Sequence, residues 1–221
     1  MLVGVDESPQ SLEAVRQGKL LATGEVTILE IGRGGGHDVL LEVAEDRGQT
    51  LIVSGADGRG RMRGIVTRST ATELVHKARC PVLVARTASP RFPERVVVGV
   101  DGSPESAVAY ALAEQVAERF GADLWPVVAH GAKGVDRELV DEIVQRREDL
   151  QDEPVRALVA ASADADLLVV GSRSLEGLKS LGSVSERVAH EARCSVLVAR
   201  GAGLAALLGA ASAAISAVRL S

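Results

Sequence analysis

Short runs, nearly all continuously apolar, alternate along the chain with longer stretches in which apolar residues recur every three or four positions. The runs fall at 2–5, 25–31, 50–53, 82–85, 96–100, 124–128, 167–170 and 196–199. Runs this short, rich in Val, Leu and Ile, predict strands buried on both faces, and the stretches between them predict amphipathic helices. Ser8-Pro9 and Ser103-Pro104 open two of those helices, the serine as cap and the proline at the first helical position. The first helix runs to about Ala22 and draws apolar contacts from Leu12, Val15, Leu20 and Leu21, although Gly18 weakens it. In its counterpart after Pro104, Val108, Leu112 and Val116 lie along one face. Further helices are predicted at 38–46, from Ser69, at 137–146, from Glu153-Pro154, and after Ser183. Thr70 with Glu73, and Ser183 with Glu186, fit the capping-box pattern. A weak strand is predicted at 147–150.

The pattern repeats. MLVGVDESPQSLEAV at residue 1 matches VVVGVDGSPESAVAY at Val96, and HKARCPVLVAR at His76 matches HEARCSVLVAR at His190. Asp6 aligns with Asp101 and Cys80 with Cys194, so the offset grows from 95 to 114 and the first copy is shorter by 19 residues in its middle. The organisation expected is a shortened unit at 1–90, a full unit at 91–200 and an Ala-rich tail at 201–221. The stretch 87–94, with two prolines, is the linker.

Alternating strands and helices imply parallel β-α-β units with right-handed crossovers. The fold class is therefore α/β, as two tandem, doubly wound, mostly parallel open sheets, five-stranded in the second copy and four-stranded in the first. Ligands of such sheets lie beyond the carboxyl ends of the strands, where strand order reverses. Asp101 ends the first strand of the second copy and Gly171 its fourth. If these strands are neighbours, the carboxylate and the loop Gly171 to Ser185, GSRSLEGLKSLGSVS, face one crevice. A glycine-bearing loop between strand and helix start can cradle an anion, and it is equally what any strand-to-helix connection needs.

Composition narrows the classes. Only 2% of the 221 residues are aromatic, which argues against stacking surfaces for single-stranded nucleic acid. The net charge is −5 and no basic block exceeds Arg146-Arg147, so a duplex-binding footprint is absent and no nucleic-acid partner is expected. Cys80 and Cys194 read as reduced core residues, and His37, His76, His130 and His190 form no metal-ligand spacing, so no metal site is expected. His76 and His190 read as structural or surface residues of equivalent helices. MLVGVDES lacks the features of a signal peptide, so a cytoplasmic location is expected. The tail carries one charge, Arg219, and is expected to lie on a surface or fray instead of spanning a membrane.

VVVGVDGSPES, DADLLVVGSRS, GSVSERVAH and CSVLVAR resemble the universal stress protein family, and the two copies resemble a tandem-domain member over residues 1 to about 200. The resemblance implies an adenine-nucleotide α-hydrolase-like sheet of order 3-2-1-4-5. It implies ATP, with or without Mg²⁺, bound through an Asp after strand one and a G-x-x-G-x9-G-[ST] loop after strand four. It also implies pairing of units through their last strands, here between the two copies, and a homodimer.

Carried onto this chain, the pattern assigns a nucleotide site to Asp101, Ser103, Val128, Gly171, Arg173, Ser174, Gly182, Ser183, Val184 and Ser185. Ser174 replaces the second glycine, and the loop is two residues short. The degenerate site of the first copy comprises Asp6, Gly55, Gly58, Arg68, Ser69 and Thr70, with Arg68 in place of the third glycine. Its guanidinium could bind a phosphate or fill the phosphate pocket. Asp101 and Asp6 would contact the adenine and ribose end, or would only cap their helices. Val127 and Val128 would line the adenine pocket or belong to the core. Arg173 and Asp57 would reach phosphate or Mg²⁺, or stay solvated. No GxSxG, Walker or HExxH motif is present, so a nucleotide-dependent regulator is expected, with at most slow ATP hydrolysis or autophosphorylation.

Overall fold

A computed structural model describes residues 1–6, 8–31, 36–48, 50–56, 69–128, 153–172 and 184–200. The first copy contributes β1 (Leu2–Val5), α1 (Pro9–Leu21), β2 (Thr27–Glu30), α2 (Gly36–Asp46), β3 (Ile52–Gly55), α3 (Thr70–Lys77) and β4 (Val82–Ala85). The second contributes β5 (Arg95–Val100), α4 (Pro104–Phe120), β6 (Asp123–Val128), α5 (Pro154–Ala161), a single 3-10 turn (Ser162–Asp164), β7 (Leu167–Gly171), α6 (Val184–Glu191) and β8 (Ser195–Ala199). The helix expected at 137–146, the strand expected at 147–150 and the tail 201–221 lie outside the described residues.

Among the described residues the open sheets of the two copies are joined edge to edge, through the last strand of each, into one eight-stranded sheet of order β2-β1-β3-β4-β8-β7-β5-β6. Within each copy all pairs are parallel, and the first strand lies between the second and the strand that ends in Gly55 or Gly171. This is the central part of the expected order. Among the described residues the one antiparallel pair is β4 with β8. There Leu83 faces Leu197, its own counterpart in the repeat, so a local two-fold axis runs through this pair.

Helices cover both faces. Ala14 and Leu21 of α1 pack with Leu112 and Val116 of α4 over Val3, Val53, Leu83, Val98 and Leu197. On the other face Leu40, Leu74, Leu158 and Val188, from α2, α3, α5 and α6, cover Leu2, Ile52, Val82, Leu168 and Val196. Burial on both sides is why the inner strands read as continuous apolar runs, whereas edge strand β2 has Ile28 half exposed and carries Glu30. Among the described residues, no helix is long and apolar enough to cross a membrane.

One local expectation changes. Leu12 points outward, 70% exposed, because α1 turns Ser11, Ala14, Gln17, Gly18 and Leu21 toward the sheet. Gly18 sits on that buried face, where an added Cβ would come within 3.2 Å of Val3, so it permits close packing at its cost in helix propensity. The stretch 87–94 is packed: Phe92 is buried, Arg16 lies over its ring at 5.8 Å and donates to the Ser89 carbonyl at 3.2 Å. Gln17, fully buried, ties the same region down by donating to Glu13 and to the Arg86 carbonyl, each at 2.7 Å.

Candidate functional site at the carboxyl ends of the strands

β5 and β7 are neighbours, paired from Val96 with Leu167 to Val98 with Val169. Continued in register, their ends bring Asp101 beside Ser172. Between β5 and α4 the chain turns through Gly102, whose φ of 73° is one that glycine adopts without a Cβ penalty. Asp101 Oδ1 accepts from the Ser103 amide at 3.0 Å and the Ser103 hydroxyl at 2.5 Å. Ser103 Oγ in turn accepts from the Ser106 amide at 3.2 Å, so Ser103 is the N-cap of α4.

The first copy repeats this arrangement. Asp6 Oδ1 accepts from the Ser8 amide at 2.9 Å and from the Ser8 hydroxyl, and Ser8 Oγ caps α1 by accepting from Ser11. The Ser8 hydroxyl bond holds the Asp6 carboxyl below its ordinary range, outweighing partial burial, which pushes it up. Each aspartate thus orients the serine that starts its helix.

Gly171 and Gly55 bring strand and helix together. An added Cβ on Gly55 would meet the Gln10 carbonyl at 2.8 Å, and one on Gly171 would meet the Glu105 backbone more closely still. Beyond the glycines the two copies diverge. In the second, Ser185 in the first turn of α6 donates to Ser172 at 3.2 Å in a buried contact, closing the base of the loop between them. The first copy has Ala56 and Ala71 at the equivalent positions. Both strand ends are otherwise fastened alike: Ser172 N donates to Ala199 O at 3.1 Å and Ala56 N to Ala85 O at 2.8 Å.

Thr70 is not a cap. It is the first residue of α3, and Ser69 takes the N-cap, accepting from the Thr72 amide at 3.1 Å with the Thr72 hydroxyl 3.0 Å away. Glu73 instead is buried and pairs with Lys77 at 2.9 Å. Val184 opens α6 and is 41% exposed. Val127 and Val128 are both buried and pack into opposite cores, as neighbours on a strand must. Arg173, Ser174, Gly182, Ser183, Asp57, Gly58 and Arg68 lie outside the described residues. Among those described, no group of three His, Cys, Asp or Glu could hold a metal. At this end of the sheet Asp101 brings a carboxylate acceptor and Ser103, Ser172 and Ser185 bring hydroxyls, groups of the kind that hydrogen-bond a sugar hydroxyl.

Two arginines with no role assigned from sequence cross the seam between the copies. Arg86, following β4, donates to Ala189 O at 2.6 Å, His190 O at 3.3 Å and Cys194 O at 3.1 Å, all in the second copy. Arg200, following β8, donates to Val75 O in the first. Val75 and Ala189 are counterparts in the repeat, as are Arg86 and Arg200. The identical VLVAR ending of both copies was the signal available in the sequence. Ser195, buried beside the seam, adds a bond from the Arg86 amide at 2.9 Å; the first copy has Pro81 in its place.

Comparison with known proteins places this architecture. The universal stress protein family model matches residues 17–86 and 128–200. A universal stress protein of Mycobacterium tuberculosis, Rv2005c, is 35% identical over 181 residues, covering 68% of this chain and 61% of its own, so the present chain spans under two thirds of that relative. A second from the same organism, Rv2623, is 32% identical over 221 residues, covering 86% of this chain and 74% of its own. Among solved structures, a universal stress protein of Archaeoglobus fulgidus superposes with a TM-score of 0.65 at 20% identity, covering 90% of this chain and 95% of that one. A protein of the same description from Pseudomonas aeruginosa gives 0.60 at 21%, covering 94% and 84%. These two structural likenesses concern the fold. With the family pattern present in each copy and both copies in one sheet, the chain belongs to the universal stress protein family.

Proposed function

We propose that this chain is an adenine-nucleotide-binding regulatory protein of the stress response, with ATP held mainly by the second copy. The observation that carries the reading is the asymmetry of the two loop bases. Both copies share the aspartate turn and the close glycine, but only the second joins strand end to helix start through Ser172 and Ser185. In this reading Asp101 and Ser103 receive the ribose and adenine end. Ser185 and the start of α6 receive phosphate together with Arg173, Ser174, Gly182 and Ser183, and Val128 lies under the base. The first copy, with Arg68 in its loop, is the weaker site. Mg²⁺ would enter with the phosphates, and the units would be 1–90 and 91–200 in a cytoplasmic, homodimeric protein.

Native mass spectrometry of freshly purified protein tests this directly. The expected native spectrum carries the mass of bound ATP, which is lost on denaturation, and Asp101→Ala or Gly182→Arg lowers its occupancy. Unchanged occupancy in both variants sinks the reading.

A second reading is a ligand-free interaction module of the same fold. It is favoured by the capping bonds of Asp101 and Asp6, which serve α4 and α1 without any ligand. Saturating ATP then produces no rise in Tm, since only a ligand of the native state stabilises it. Turnover of ATP, alone or with an acceptor, would instead point to an enzyme.

A further inference from the structure

We infer that Arg86 is a positioning residue for the loop site of the second copy, and Arg200 for that of the first. Each copy's last arginine would hold in place the helix on which the other copy's site is built. The inference rests on the nucleotide reading only for the ligand's identity.

α6 begins at Val184, where the second copy's Gly/Ser loop ends, and is eight residues long, stopping at Glu191. A helix of two turns, about 12 Å long, is not stable by itself and takes its position from tertiary contacts. Its front is held by Ser185 on Ser172, within its own copy. At the rear, the last carbonyls of any helix lack intrahelical donors. Here Ala189 O and His190 O receive the Arg86 guanidinium from the other copy. A cation at a helix C-terminus is favoured both by the carbonyl bonds and by the helix dipole. α3 is also eight residues long, begins just after the first copy's loop, and has its Val75 carbonyl taken by Arg200. α3 and α6 pack against each other beside the two-fold axis. The exchange is therefore crossed: the first copy's arginine supports the second copy's helix, and the reverse.

This crossing separates positioning from general support of the seam. Arg86 and Arg200 stand at opposite ends of the same strand pair, so a purely structural role would make their loss equivalent. Hydrogen exchange on the full chain reads the difference without any ligand. In Arg86→Gln, amides 188–192 of α6 are expected to exchange about tenfold faster while amides 74–78 of α3 change less than about twofold; Arg200→Gln is expected to give the reverse. Arg86→Lys, which keeps the charge but loses the fork, should fall between wild type and Arg86→Gln, and supplies a folded comparison if the glutamine variant does not fold. ATP titration is the second reading: Arg86→Gln should weaken binding at the second copy about tenfold and Arg200→Gln should leave it within about twofold. Equal loosening of both helices by either variant, or no change in either, overturns the inference, as does a crossed exchange pattern with unaltered ATP affinity. If the wild-type protein binds no ATP, the nucleotide reading fails, and the exchange pattern alone decides this one.

Discussion

Gly171 and Glu105 approach so closely that no side chain fits between them: a Cβ on Gly171 would stand 2.5 Å from the Glu105 carbonyl carbon. This is backbone against backbone, and neither β7 nor the first turn of α4 can yield without moving a core element. Gly171→Ala should therefore cost about 2–3 kcal/mol, in the range of overpacking, and Gly55→Ala, with 2.8 Å to Gln10, somewhat less. Gly121→Ala is the control. That glycine caps α4 at φ 65° in open space, and its loss should cost only about 1 kcal/mol. Urea denaturation of the three variants checks the order.

The Ser185–Ser172 bond gives a second test. Either serine changed to alanine breaks a buried hydroxyl pair and should cost about 1–2 kcal/mol. Ser172→Ala with Ser185→Ala recreates the alanine pair of the first copy and should cost less than the sum of the singles. A double-mutant cycle in thermal unfolding measures the difference.

Both cysteines should be silent in the native protein. Burial pushes the Cys194 thiol up to about 12 and raises that of Cys80, and the two side chains lie in the core. At pH 8 a thiol reagent should label neither in the folded state and both in denaturant. Rapid native labelling would contradict the packing.

Asp6 makes stability fall in acid. Its folded pKa lies below the ordinary aspartate value of about 3.9, so the ionised group stabilises the fold fully above that ordinary value, and this contribution is lost as pH falls through the folded one. Asp6→Asn keeps an acceptor for Ser8 without the titration. The stability gap between wild type and Asp6→Asn should be constant above about pH 5 and shrink below about pH 4, as read from Tm across that range.

Much of this was legible in the sequence because it is local. β4 spans Val82–Ala85 as the apolar run did, and Ser8 and Ser103 cap their helices as the Ser-Pro pairs implied. What was not legible depends on neighbours distant in the chain. Gly171 read as a turn residue or a phosphate contact, whereas the constraint on it is a helix more than sixty positions earlier. Leu12 fits the apolar stripe of α1 but falls on the outer side, since a small residue, Gly18, sets which face can approach the sheet. Arg86 drew no role from the sequence, because only the antiparallel seam puts the end of α6 in front of it.

That seam has a consequence for how the molecule assembles. β4 and β8 are joined by peptide bonds through a packed linker, so each finds the other at an effective concentration that dilution cannot change. Two separate chains meeting along the same edges would hold together only while their concentration exceeded a dissociation constant. Here the junction persists at any copy number in the cell, and neither edge is left for a third strand to join.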